Sequence, residues 1–160
     1  METPNPNRTS LQSSILEAVL HLWGHARGQH WLSITGRSMF PVLREGDSIL
    51  VAHGCTDVHR GDVIVFRHQG GLTAHRVICI SGSDDYPTFI TKGDNAARCD
   101  PPVDTNDIVG RVLAVKQGAR CLPLDTPIWR MMGWLIAVNA CAWRVLDRWS
   151  WGREQKCRDP

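Results

Sequence analysis

The chain has 160 residues, of which 42% are apolar and 21% charged. That is enough for one packed domain and excludes wholesale disorder. The net charge is only +2, with the basic residues scattered, so nucleic acid is excluded as an expected partner. Six cysteines (Cys55, Cys79, Cys99, Cys121, Cys141 and Cys157) stand 16 to 24 residues apart with no C-x-x-C pair, so neither a zinc site nor a disulfide framework is expected.

Residues 1–10, "METPNPNRTS", are polar and proline-bearing and read as a flexible arm. Ser10 suits a helix cap. Leu11, Ile15, Leu16, Val19, Leu20 and Trp23 then recur at helical spacing, predicting an N-terminal helix over 11–28. Glu17, His21 and His25 make this helix amphipathic rather than a membrane span. No cleavable signal peptide is seen.

From Trp31 the period changes to two. "WLSIT", "SILVA", "DVIVFR", "LTAHRVICI", "TFITK" and "DIVGRVLAV" are short runs rich in Val, Ile and Thr, bounded by Gly, Pro, Asp or Asn. With no helical run between them, they predict a mainly β domain over 29–124, built as twisted antiparallel sheets or a small barrel. "HQGG", residues 68–71, reads as a hairpin turn.

Residues 125–160 differ in kind. Five of the seven Trp lie in the last 32 residues, and the run from Trp129 to Trp149 is helical in pattern. Its charge-free core between Arg130 and Arg144 is 13 residues long, short of the roughly 20 apolar residues a bilayer crossing needs. A C-terminal helix with a basic tail is expected. It would be packed on the sheet, lie in a membrane surface, or form a short or tilted span.

Three segments carry residues with chemical potential. In "GRSMFP", Ser38 sits in a turn between strands; Gly36 allows close backbone approach to a substrate, and Met39 and Phe40 supply apolar surface. The Ser38 N–H could face a developing oxyanion. In "LTAHRVICI", strand alternation puts Thr73, His75, Val77 and Cys79 on one face, with Arg76 next to His75. Histidine is the side chain that serves most readily as a base near neutral pH. In "TKGDNAARCD", either Asp94 or Asp100 could deliver a carboxylate that orients His75. Asp47 and Asp62, each in a Gly-Asp pair before a strand, read as turn-forming residues.

The order S-M-x-P, G-D-V-I-V-F, H-R-V, T-K-G-D-N with a later Asp, and D-I-V-G-R-V, spread over about Trp31 to Val115, resembles the signal peptidase I superfamily. It is most similar to the Ser-His branch of archaeal and endoplasmic-reticulum type. The resemblance implies a mostly β catalytic domain with Ser38 as nucleophile, His75 as general base and Asp100 as the orienting carboxylate. Asp94, Gly36, Met39 and Arg76 would support them. It implies a serine endopeptidase that cleaves after small residues in a leader or signal peptide or a precursor protein, bound extended in a shallow groove. No cofactor or metal is expected. The location implied is membrane-associated or cytoplasmic, with peripheral membrane contact through the C-terminal helix.

The chain departs from the signal peptidase pattern in carrying Gly36-Arg37 before the serine, Phe40 after Ser-Met, and Ala96 after Gly-Asp-Asn. No N-terminal anchor is read in the opening residues. G-x-S-M is similar to the self-cleaving repressor relatives, which use Lys as base. A self-processing or regulatory repressor-like module is therefore the alternative, and a non-catalytic β scaffold the third reading.

Overall fold

The computed structural model describes residues 28–54, 57–83 and 86–155, with side chains as far as residue 142. The arm and the N-terminal helix expected before residue 28 lie outside the described residues.

The described residues form a single eight-stranded sheet and one long helix. The strands are β1 (Gln29–Ser33), β2 (Ser48–His53), β3 (Val63–His68), β4 (Gly71–Ser83), β5 (Tyr86–Lys92), β6 (Val103–Asp104), β7 (Ile108–Gln117) and β8 (Arg120–Pro123). Their order is β1-β2-β7-β3-β4-β5-β6, with β8 also pairing β7. Every pairing is antiparallel, as the short β-branched runs predict. The sequence reading did not resolve β6, the 3-10 turn Thr105–Asp107 after it, or β8. They are two to four residues long, too short for a period to show.

β3 explains how the core divides. Its run Val63-Ile64-Val65-Phe66 is buried at every position, because both faces of the sheet are covered there. Val63 and Val65 join Met39, Leu43, Ile49, Val51, Val109, Val112 and Val115 on one side. Ile64 and Phe66 join Val77, Phe89 and Val103 on the other. Full burial of a side chain such as Phe66 contributes about 1.5–3 kcal/mol.

The hairpin expected at residues 68–71 is present. His68 pairs with Gly71, and the two loop residues, Gln69 and Gly70, have φ of 49° and 75°. Two positive φ values match the twist of the flanking strands. One alternation expected on β4 fails. A bulge between Val77 and Cys79 sets Val77 opposite Thr91 and Cys79 opposite Ile90. The extra residue inverts the alternation, so Cys79 leaves the face that carries His75 and Val77.

The helix α1 (Pro127–Gln155) begins two residues before the sequence pattern suggests. Proline is tolerated in a first helical turn, and the Arg130 N–H donates to the Thr126 carbonyl at 2.9 Å. Among the described residues, no helix is long and apolar enough to cross a membrane, so the spanning alternative is set aside. Instead α1 packs against β4 and the loop before β3. Of the six cysteines, Cys79, Cys99, Cys121 and Cys141 are described, and no disulfide joins any two of them.

Candidate active site

Ser38 lies in the loop between β1 and β2, and the apolar core holds that loop in place. Met39 and Leu43 are buried, and the Leu43 N–H donates to the Met39 carbonyl at 3.0 Å, making one helical turn with both side chains inward. At the base, the Ile34 N–H donates to the Asp47 carbonyl and the Gly46 N–H to the Ile34 carbonyl. The buried Asp47 carboxylate accepts the Arg44 N–H and the Gln117 amide, each at 2.8 Å. Asp62 does the same for the His59 N–H. Both aspartates are turn-forming residues, as read from the sequence. Met39 is buried while Ser38 beside it is exposed.

His75 meets that hydroxyl from β4. Its Nε2 is 2.9 Å from Ser38 Oγ, and its Nδ1 is 2.6 Å from Asp100 Oδ2. With the proton on Nδ1, His75 donates to Asp100 and Nε2 accepts from Ser38, so the ring can receive the serine proton. Phe66 stands edge-on to the imidazole, 6.2 Å between ring centres, and the ring is almost wholly buried.

Asp100 is held by a residue the sequence reading missed. The fully buried Thr91 donates its hydroxyl to Asp100 Oδ2 at 2.7 Å, and its carbonyl accepts the Asp100 N–H at 2.8 Å. Burial pushes the Asp100 carboxyl up. The hydrogen bonds from His75 and Thr91, with the charges of His75 and His68, more than offset this and hold it below its ordinary value. The carboxylate is therefore ionised at neutral pH. Of the two aspartates open to this role by spacing, only Asp100 reaches the ring.

Asp94 has a different partner. Arg76 donates Nε to Asp94 Oδ1 at 2.8 Å and Nη2 to Oδ2 at 2.7 Å, a bidentate pair with both side chains buried. β4 points His75 and Arg76 to opposite faces: His75 pairs with Ile64 and Arg76 with Val63, which belong to the two separate cores. The pair holds the turn 93–95 against the serine loop. In that turn the Asn95 N–H donates to the Ser38 carbonyl at 2.7 Å, and the Asp94 N–H points at Met39 Sδ, 3.4 Å away.

Gly93 is the second residue missed. A Cβ there would stand 2.6 Å from the Ser38 carbonyl oxygen and 3.0 Å from both His75 Nε2 and Ser38 Cβ. In the sequence, "KGDN" signals only a turn. Gly36 has φ of 90° and nothing within 4 Å of a Cβ built on it, so its requirement is the turn itself. Beside Ser38 opens a cleft of about 270 Å³, walled by Leu32, Ile34 and Ile49 on one side and Leu72, Thr73 and Ala74 on the other.

The Peptidase S24-like family model matches residues 6–113, more than half the chain. This chain belongs to that family. Ser38, His75, Asp94 and Asp100 all fall within the matched segment of the S24-like chain, and α1 lies beyond it. Over 80 residues the chain is also 39% identical to signal peptidase I W of Bacillus subtilis (strain 168), which covers 46% of this chain and 42% of that protein. The chain thus spans less than half the length of this curated relative. Both matches place the chain in the superfamily that its motifs resemble.

Proposed function

We propose that this S24-like chain is a serine endopeptidase that cuts a leader peptide, signal peptide or precursor protein through Ser38, His75 and Asp100. The observation that carries the reading is the unbroken hydrogen-bonded chain from Ser38 Oγ through the His75 ring to Asp100 Oδ2. Ser38 Oγ bonds to the scissile carbonyl carbon as its proton passes to His75 Nε2, and the Ser38 N–H faces the developing oxyanion. Collapse breaks the C–N bond, and the His75 proton goes to the leaving amine. Water then repeats the sequence on the ester, freeing the new carboxyl end and Ser38. Asp100 stays ionised throughout and stabilises the imidazolium. The apolar cleft beside Ser38 suits an extended peptide with small apolar side chains.

The purified chain, incubated with extended peptides bearing small-residue junctions, is expected to yield one defined cut by mass spectrometry. Ser38→Ala and His75→Ala should abolish it. Cutting by either variant at the wild-type rate sinks the reading. A self-processing role is favoured by Gly36-Arg37 before the serine. It predicts a fragment of the chain itself that is absent from Ser38→Ala.

Surface docking on a membrane is part of the same reading. Ile128, Met131, Met132 and Leu135 recur at helical spacing on α1 and are exposed, with exposed Trp134 beside them. Sequence beyond them supplies Arg144, Arg148, Arg153, Lys156 and Arg158. The full chain should co-sediment with anionic vesicles, and a Met131→Glu/Leu135→Glu variant should not. Equal sedimentation of the two sinks the docking.

A further inference from the structure

The inner side of α1 makes a contact that the peptidase reading does not use. Gly133 packs backbone to backbone on Gly61, in the loop before β3. A Cβ on Gly133 would stand 2.5 Å from the Gly61 carbonyl oxygen and 2.9 Å from Arg76 Nη1. A Cβ on Gly61, where φ is 97°, would stand 2.5 Å from the Trp134 nitrogen. Neither site tolerates a side chain, since the obstructing atoms include backbone on the facing element. The same Gly61 carbonyl accepts Arg76 Nη1 at 2.8 Å, and Arg76 holds Asp94 with its other two nitrogens.

The contacts run without a gap. α1 sits on Gly61 and covers Arg76. Arg76 fixes Asp94, and the turn it fixes donates to the Ser38 carbonyl through Asn95 and closes on His75 Nε2 through Gly93. A buried guanidinium with three of its donors engaged has no slack with which to absorb a displaced helix. β4 also places Arg76 next to His75 in sequence, so a shift of one strains the other.

We propose that Gly61, Gly133 and Arg76 are positioning residues, through which the seating of α1, a helix outside the family-matched segment, sets the geometry of Ser38 and His75. The proposal rests on the Ser38 peptidase reading for its kinetic test, but the His75–Asp100 hydrogen bond reports on it independently. Gly133→Ala and Gly133→Val in the full chain push the helix off Gly61. With a cleaved peptide, kcat should fall about tenfold and about a hundredfold respectively, with KM held within about threefold, because misplacement near 1 Å affects the chemistry more than binding. The downfield His75 Nδ1 proton resonance should broaden or move upfield. Ala137→Gly is the control: it weakens the same helix at a buried position but adds no atom that could push α1 off Gly61, and should leave kcat within about twofold. Arg76→Lys combined with Gly133→Val should lose no more than the worse single variant, since both break one linkage.

Wild-type kcat and an unmoved Nδ1 resonance in Gly133→Ala overturn the proposal. So does a Gly133→Val loss no larger than that of Ala137→Gly, or losses that multiply in the double variant. If Gly133→Val does not fold, Gly133→Ala and Arg76→Lys decide. If the wild-type chain cuts no peptide, the earlier reading fails by itself, and the Nδ1 resonance alone decides this one.

Discussion

His75 Nε2 stands 2.9 Å from Ser38 Oγ across 37 residues of sequence. The serine is presented by a loop plugged into one core through Met39 and Leu43, and the histidine by a strand facing the other. Asp100 holds the far side of the ring, so removing its charge should cost more than removing its neighbours. Asp100→Asn should lower kcat about 10⁴-fold by favouring the wrong imidazole tautomer. Thr91→Val, which removes one hydrogen bond to the charged group, should cost about tenfold. Steady-state kinetics on a cleaved peptide would check both, and a smaller loss for Asp100→Asn than for Thr91→Val would contradict the arrangement.

Gly93→Ala should silence the site while the fold survives. Its methyl would meet the Ser38 carbonyl at 2.6 Å and His75 Nε2 at 3.0 Å. Pushing the two apart should reduce kcat by about 10², at a cost of about 1–3 kcal/mol in stability. Circular dichroism melts beside the kinetics would separate the two effects.

Breaking the Arg76–Asp94 pair should be costly to stability itself. Both side chains are at least nine-tenths buried. Asp94→Ala would strand the guanidinium and should destabilise the chain by about 3–5 kcal/mol. A urea titration reads this directly, and a loss below about 1 kcal/mol would mean that water reaches Arg76 in the native chain.

Stability should also fall as the pH drops below neutral. His53 is 3% exposed, with its ring 5.1 Å from that of His30. Burial first, then the His30 charge, lowers its pKa from 6.5, against a hydrogen bond with the Val109 backbone that raises it. The unfolded chain therefore binds more protons in this window, and stability rises with pH through it. The contribution is complete above 6.5 and is lost as pH falls through the lower folded value. Asp100, also lowered, acts in the same sense only below 3.8. Urea midpoints measured from about pH 7 down to about pH 5 should drop, and His53→Gln should flatten that slope.

The β3–β4 hairpin offers a gain. Gln69 holds φ of 49° ahead of Gly70, a region that costs most L-residues about 1–2 kcal/mol. Gln69→Asn creates the Asn-Gly pair that this turn favours. It should raise the melting temperature without changing kcat, and an unchanged or lower melting temperature would count against the turn geometry.

Much of this was legible in the sequence because its signals are local. Period-two runs marked the six longer strands, and a two-residue turn fits the His68–Gly71 register. Ser38 and His75 were readable because each stands in a distinctive short motif, whereas Asp100 was preferred to Asp94 only through the family resemblance. Thr91 and Gly93 were not. Thr91 looks like any strand threonine until its hydroxyl meets Asp100, and Gly93 like any turn glycine until Ser38 closes on it. The bulge at Val77–Cys79 was equally invisible, since an extra residue in one strand shows only against its partner.

By itself the sequence determined the mainly β class, the superfamily, and Ser38 and His75 as candidates with either Asp94 or Asp100 behind them by spacing, because alternation and motif order are properties of neighbours along the chain. The tertiary structure alone decided that Asp100 and not Asp94 reaches His75, and that Asp94 belongs to Arg76. It also decided that α1 seats on Gly61 behind that pair. Those choices depend on which strand faces point where and on how closely two backbones can approach, and such distances between remote segments are not written in the spacing of residues.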